Sequence, residues 1–301
     1  MKVSAVIPAY NASATISEAV ISALSQSHQD VEVIVCDDAS TDNTRDVVRS
    51  INDDRIVLLS NETNRGCGFS RDRAIAAAGG DFIAVLDADD AWLPPRLSLL
   101  LDAVDGHTST MVFDDIAECR NSGHGLVARW NMRGSDAFGA RGQPVDVAAQ
   151  DWVASKRLLI KPLIPVAALR HSGVRHSARA FGEDTEFFLK LVSHGLLLRY
   201  VPEATYKYRT TRTSASSMRT RHIQMLEVLE AAKDMFRMNR QMLAALDGRI
   251  AHEKHLQAYF EFLWAVKSLD LGRSFGLALS NPGVLSELAS RSIRDVAFRL
   301  R

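Results

Sequence analysis

Residues 86–90, Leu-Asp-Ala-Asp-Asp, crowd three carboxylates onto the end of the apolar run Phe82–Leu86. That run is bounded by Gly79-Gly80-Asp81 and reads as a buried strand that stops abruptly in charge. Carboxylates this close repel one another and resist ionisation unless a cation neutralises them. Hard divalent ions take oxygen ligands and commonly join one or two carboxylates to substrate phosphates. Open α/β sheets gather their ligands at the C-terminal ends of the strands, where this turn belongs. Alone, the turn is equally a solvated acidic corner before Trp92 and Pro94-Pro95. A second acidic set, Phe181-Gly182-Glu183-Asp184, feeds a helix with Phe187, Phe188, Leu191 and Val192 on its inward face. Acids at a helix start, Glu183, Asp184 and Glu186 here, suit the helix dipole whether or not they do chemistry.

The elements that must carry these acids alternate. A first strand runs through Val3–Ile7 into the loop Pro8-Ala9-Tyr10-Asn11, and a helix follows with apolar Ile16, Ala19, Val20, Ala23 and Leu24 behind a Thr15-x-x-Glu18 capping box. A second strand, Val31–Cys36, ends in Asp37-Asp38-Ala39-Ser40-Thr41-Asp42, and a helix with Val47, Val48 and Ile51 leads to a third, Ile56–Leu59. Asn64-Arg65-Gly66 opens a helix bearing Arg71, Arg73, Ala74, Ile75 and Ala78. Strand and helix in turn predict a parallel α/β unit with polar residues collected along one sheet edge.

Read in order, Val-Ile-Pro-Ala-Tyr-Asn at 6–11, Cys-Asp-Asp-Ala-Ser-Thr-Asp at 36–42, Asn64-x-Gly66 and Leu-Asp-Ala-Asp-Asp at 86–90 resemble the motifs of family-2 glycosyltransferases with the GT-A fold. Pro94 and Arg96-Leu97 fit the segment that follows, and Gly182-Glu183-Asp184 is similar to the family's Glu-Asp catalytic motif. The likeness covers residues 1–217. It implies a Rossmann-like, mostly parallel α/β sheet flanked by helices. Residues 1–105 would form a nucleotide-sugar half and 106–217 an acceptor half, with an α-helical region over 218–301. The implied activity is an inverting transfer from a nucleotide sugar, UDP-linked by expectation, to a growing glycan: an exopolysaccharide, a capsule or a lipid-linked oligosaccharide. A divalent metal, Mn²⁺ or Mg²⁺, is the implied cofactor.

The same resemblance assigns roles. Pro8, Ala9, Tyr10 and Asn11 would surround the nucleoside, and Asp38 would accept a hydrogen bond from the base. Arg65 or Arg71 would face the base or diphosphate. Asp87 and Ala88 would lie by the ribose, with Asp87 also near the metal or a metal-bound water, and Asp89 would coordinate the metal directly. Asp184 would be the general base toward the acceptor hydroxyl, with Glu183 facing the acceptor. Plainer readings stand beside these. Tyr10 serves as a sheet-edge aromatic, Asp38 or Asp42 caps the helix after Ser40, and the arginines lie on a solvated face.

One stretch departs from the family pattern. Many relatives carry a histidine before a Ser-x-Ser stretch, whereas here Thr210-Thr211-Arg212-Thr213-Ser214-Ala215-Ser216-Ser217 has none until His222. Arg212 is the expected substitute, pairing directly with phosphate oxygens. His171, His176 and His194 read as surface or satisfied histidines. Trp152 either stacks on an acceptor sugar or packs a helix. Residues 117–150 read as loops or an irregular ribbon, and Lys161-Pro162-Leu163 with Pro165 as a turn near the acceptor groove.

Composition narrows the remaining classes. Lys+Arg and Asp+Glu number 36 each, so the formal net charge is +0 and nothing favours nucleic acid as a partner. A 47% hydrophobic and 24% charged composition is that of a globular protein. Cys36, Cys67 and Cys119 are odd in number, lack metal-ligand spacing and point to a reducing compartment. With the Val3–Ile7 run too short for a signal peptide, a cytoplasmic protein is expected, or one peripheral on the cytoplasmic face of a membrane. Helices are expected over His222–Leu246 and about 252–271, packed on the catalytic domain or forming a homodimer. At the C-terminus Ile293, Val296, Ala297 and Leu300 share one face beside Arg291, Arg294, Arg299 and Arg301. Such a helix docks on an anionic leaflet or packs on its own protein. A nucleotidyltransferase would need a Gly-rich basic loop where Pro8-Ala9-Tyr10-Asn11 stands. Asp38, Asp89 and Asp184 together argue against a non-catalytic glycan- or nucleotide-binding relative.

Overall fold

Unbroken apolar runs make strands that need cover on both faces, and β1 (Val3–Ala9), β2 (Val31–Asp37) and β4 (Phe82–Val85) have it. In the computed structural model the described residues are 1–104, 106, 108–122, 125–132, 135–140, 142–155, 159–210, 215–281, 283, 284 and 286, with side chains described outside 120–136, 215–219 and 271. β1 lies between β2 and β4, all parallel, and β3 (Ile56–Ser60) pairs in parallel beyond β2. The crossovers are α1 (Ile16–Leu24), α2 (Thr44–Arg49) and α3 (Cys67–Ala77).

α1 buries Ile16, Ala19, Val20, Ala23 and Leu24, the face its sequence period predicts. Its capping box does not form. The Thr15 hydroxyl reaches back to the Ala12 carbonyl at 3.4 Å, and Glu18 accepts instead from Arg209 at 2.6 Å. A guanidinium is a stronger partner for that carboxylate than one backbone N–H.

Past β4 the sheet becomes mixed. β9 (Leu163–Pro165) runs antiparallel to both β4 and β6 (Thr110–Ser122), and β10 (Leu197–Arg209) runs parallel to β6. β5 (Ala91–Trp92) and β8 (Val145–Val147) lie antiparallel to β10. β7 (Gly125–Met132) folds back antiparallel on β6, with a register shift between Glu118 and Cys119, so part of the expected loops or irregular ribbon is paired strand. The order along the sheet is β3-β2-β1-β4-β9-β6-β10-β5. α4 (Arg96–Asp102), α5 (Ser135–Phe138), α6 (Ala149–Ala154), α7 (Val166–Ser172) and α8 (Glu183–Ser193) complete this unit.

The chain divides into two compact units, Met1–Thr210 and Thr211–Arg301. The second holds α9 (Ala215–Met235), α10 (Arg240–Lys267) and α11 (Leu271–Ser280). A continuous helix over His222–Leu246 is corrected by a break after Met235, where Asn239 accepts from Met242 N at 3.0 Å and caps a new helix. Met238 falls in that break and is 91% exposed. Arg212 and the basic segment 291–301 lie outside the described residues. Among the described residues no helix is long and apolar enough to cross a membrane.

Candidate active site

Parallel β1, β2 and β4 deliver their following loops to one sheet edge. The loops after β1 and β2 are laced together. Asn11 N donates to Ser40 Oγ (2.9 Å), Thr41 N donates to Asn11 Oδ1 (2.9 Å), Ala12 N donates to Thr44 Oγ1 (2.8 Å), and Ser13 N donates to Asp42 Oδ2 (3.1 Å). Asn11 and Ala39 both take left-handed backbone, φ 49° and 60°. Such a conformation costs an ordinary residue roughly 1–2 kcal/mol, and the lacing must hold it. Asp42, not Asp38, serves the start of α2, accepting from Thr44 N at 2.9 Å.

Asp38 itself turns inward. Its carboxylate accepts from Asn61 Nδ2 (2.6 Å), Arg65 N (3.0 Å) and Gly66 N (2.7 Å), and the residue is 3% exposed. So placed it braces the 64–66 loop. Pro8 and Ala9 are likewise buried inside β1, and the Ala9 carbonyl accepts from Asp38 N at 2.7 Å. Of the expected nucleoside group, Tyr10, Asn11 and Arg65 are exposed, with the Arg65 guanidinium 3.6 Å from the Phe69 ring centroid.

Arg71 is the centre of the site. From α3 it is 2% exposed and donates to Asp87 Oδ1 (3.1 Å) on the turn after β4, to Glu183 Oε1 (3.3 Å), and to Asp184 Oδ1 at the start of α8. Gly182, at φ 82°, supplies the left-handed corner from which α8 begins. Lys161, equally buried, bridges the same two acids, Nζ lying 2.5 Å from Asp87 Oδ2 and 3.2 Å from Asp184 Oδ2. Burial opposes the charge on Asp184, but Arg71 and Lys161, then His176, overcome it and hold the carboxyl below the usual range. Asp87 is held low in the same way, by Lys161 and Arg71 against burial. Burial works against the Lys161 ammonium too, and Asp87 and Asp184 reverse it and push its pKa up. Lys161 was not singled out as a site residue from the sequence.

The three acids of one turn have three environments. Asp90 is buried, accepting from Tyr206 Oη (2.7 Å) and Arg209 N (2.7 Å), and burial with the charges of Asp87 and Asp89 pushes its carboxyl well up. Tyr206 also receives Asp87 N at 3.2 Å, and Arg209 Nε donates to the Asp89 carbonyl at 2.6 Å, so the turn is pinned from β10. Asp89 alone is an exposed residue; loss of hydration and the neighbouring Asp87 raise its carboxyl above the ordinary range. Ala88 between them is half-buried.

Those environments decide which acid fits a metal. Both Asp87 oxygens are engaged by buried cations, Arg71 and Lys161. Among the described residues no three His, Cys, Asp or Glu side chains converge in a metal-holding group. Asp89 offers hard oxygen atoms at the donor edge, and Mg²⁺ and Mn²⁺ accept such a set when water and phosphate supply the rest. Asp89 is the acid of this turn that could hold such an ion.

Trp152 is fully buried on α6 within the core, so its reading as a sugar-stacking platform is corrected: it packs a helix. His171 and His194 are exposed, while the His176 side chain is buried beside Asp184.

The model of the glycosyl transferase family 2 matches residues 4–156, half of the chain. The chain belongs to that family. It is a glycosyltransferase. Over 98% of its length it is 30% identical to the succinoglycan biosynthesis protein ExoU of Rhizobium meliloti, covering 88% of that protein. A stretch of 96 residues, 32% of the chain and 38% of the relative, is 44% identical to WfaP of Escherichia coli, a UDP-Glc:alpha-D-GlcNAc-diphosphoundecaprenol beta-1,3-glucosyltransferase. The crystal structure of S. aureus TarS 1-349 in complex with UDP aligns with a TM-score of 0.61 at 21% identity, over 86% of this chain and 70% of that one. At that identity the likeness is one of fold, and the fold is the GT-A type: a mostly parallel α/β sheet flanked by helices, followed by C-terminal helices.

Proposed function

We propose that this family-2 member transfers a sugar, with inversion, from a UDP-linked donor to a hydroxyl of a growing glycan. The observation that carries the reading is the convergence on Arg71 of Asp87, from the donor-edge turn, with Glu183 and Asp184, from the start of α8. UDP in the TarS complex and UDP-Glc in the name of WfaP support the nucleotide. Succinoglycan in the name of ExoU supports a polysaccharide acceptor, and diphosphoundecaprenol in that of WfaP a lipid-linked one.

Asp184, kept ionised by its cations, accepts the proton of the acceptor hydroxyl as that oxygen attacks C1 of the sugar. The nucleoside diphosphate leaves with the bonding pair, and one displacement inverts the anomeric centre. Glu183 faces the acceptor. Tyr10, Asn11 and Arg65 are the exposed groups that meet the nucleoside. A divalent ion at Asp89 would supply Lewis-acid charge to the donor diphosphate.

The test is a panel of UDP-, GDP- and TDP-sugars assayed for nucleotide release, with the product anomer read by NMR. Turnover of a UDP-sugar with inversion supports the reading. Turnover confined to GDP- or TDP-sugars, or retention of configuration, contradicts it.

A further inference from the structure

Behind Lys161 lies a buried ion pair with no part in the reaction as described so far. Arg96, the first residue of α4, is fully buried and donates to Asp114 through Nε (3.1 Å) and Nη2 (2.8 Å). Thr205 Oγ1 donates to the same carboxylate. The guanidinium carbon lies 5.0 Å from the Trp92 ring centroid and 5.1 Å from that of Tyr206. Nη2 also donates to the backbone carbonyl of Lys161.

Held by Asp114, Arg96 therefore sets two neighbours of the site. It backs the Tyr206 ring, whose hydroxyl receives Asp87 N (3.2 Å) and donates to Asp90 Oδ2 (2.7 Å). It also fixes the backbone from which the Lys161 ammonium reaches Asp87 Oδ2 (2.5 Å) and Asp184 Oδ2 (3.2 Å). Sheet register adds to this. β9 runs antiparallel to β4 with Leu163 opposite Ala84, so the residues just before β9 run beside the turn that follows β4.

Burial decides how Lys161 can act. Its side chain is 2% exposed, whereas Asp87 and Asp184, which it joins, are 23% and 17% exposed. The acids face the substrate, and the ammonium works through them. The two ends of this bridge do not depend on it equally. The donor turn is also pinned from β10, by Tyr206 at Asp87 N and by Arg209 at the Asp89 carbonyl. The Asp184 carboxylate is gripped by Arg71 at Oδ1 and by Lys161 at Oδ2. The last torsion of an aspartate is soft, so cations on both oxygens fix an angle that one cation leaves loose. A base must keep hydrogen-bond reach of the proton it takes, and small misplacements cost up to about 10²-fold in rate.

We propose that Lys161, set from behind by Arg96, is a positioning residue that holds the Asp184 carboxylate at the angle transfer requires. The proposal rests on Asp184 being the base.

The test uses the full chain and UDP release from UDP-glucose with water as acceptor. Turnover is expressed per UDP-binding site, counted by calorimetry in Mn²⁺, so unfolded molecules do not enter kcat. Lys161→Met should lower kcat about 10- to 100-fold and leave UDP affinity within about threefold, because the donor turn keeps its hold from β10. Lys161→Arg keeps a cation able to span both acids and should recover part of that loss, at least about threefold. Arg96→Lys still pairs with Asp114 but cannot reproduce the planar fork that also reaches the Lys161 carbonyl, so kcat should fall about 3- to 10-fold with UDP affinity held. Wild-type kcat per site in Lys161→Met and Arg96→Lys, beside an inactive Asp184→Asn, defeats the positioning role alone. Parallel losses of UDP affinity and kcat also defeat it, since the bridge would then serve the donor turn. If Lys161→Met yields no UDP-binding protein, Lys161→Arg and Arg96→Lys decide by the same kcat criterion. An active Asp184→Asn defeats the base assignment and the positioning role with it.

Discussion

The two units each bury an ion network, and the two are built on opposite plans. In the helical unit His222 Nδ1 and Arg249 Nη2 each lie 2.6 Å from an oxygen of Glu253, and the His222 ring stacks on Phe260 with centroids 5.2 Å apart. That cluster joins two neighbouring helices, encloses one acid between two bases, and leaves Glu253 3% exposed. In the sheet unit Arg71 and Lys161 hold Asp87, Glu183 and Asp184, drawn from four separate stretches of chain. Acids outnumber bases there, and the three carboxylates remain 23%, 14% and 17% exposed. Burying ions stabilises a protein little compared with apolar packing, and crowding like charges makes matters worse. A closed cluster within two neighbouring helices is what a structural role asks for. An open one, with acids in excess and gathered from distant segments, is what chemistry asks for.

Breaking the Arg71 cluster should have the largest effect. Arg71→Met leaves three carboxylates around Lys161, so turnover should fall below detection and unfolding free energy by about 3–5 kcal/mol in urea melts. Near-normal turnover would show that the cluster is only structural. Acid should dismantle the same cluster. Asp184 is held below its unfolded value, so its stabilisation is complete above the ordinary carboxylate range near pH ~4 and fades as pH falls through its lower folded value. The stability gap between wild type and Asp184→Asn should therefore stay constant from about pH 5 to 7 and close below about pH 4. A gap that widens in acid contradicts this sign.

Asp89→Asn sharpens the contrast from the exposed side. UDP affinity in Mn²⁺ and turnover should drop together by at least about tenfold, while stability stays within about 0.5 kcal/mol. An unchanged rate and metal response would remove Asp89 from the donor site. Glu253→Gln should give the smallest catalytic effect: turnover within about twofold of wild type, with stability down by about 3 kcal/mol as Arg249 loses its buried partner. A large loss of turnover would erase the distinction between the two networks.

How much of this was readable from residues alone depends on whether local pattern or distant pairing decides the outcome. The buried face of α1 and the parallel order of β1, β2 and β4 follow from apolar periodicity, which burial enforces over many residues at once. Caps and breaks did not follow, because single competing bonds settle them: Arg209 takes Glu18 from its capping box, and Asn239 restarts a helix beyond Met238. Asp38 and Trp152 show that a motif position does not reveal which way a side chain turns. Lys161 lacked any motif, yet a lone lysine within Leu159-Ile160-Lys161-Pro162-Leu163 carries a signal, since a buried ammonium requires an acid beside it. The pairing of His176 with Asp72 spans 104 residues and leaves no local trace.

The central claim is that the Arg71 cluster holds a base for transfer and not a site for nucleotide. It is tested most directly by titrating UDP into wild type and Asp184→Asn, with Mn²⁺ present, and measuring turnover of a UDP-sugar by the same two proteins. UDP affinity equal within about twofold, beside a rate lower by about 10²- to 10⁴-fold, is the predicted result. Parallel losses of affinity and rate, or a variant that still transfers sugar at the wild-type rate, would contradict it.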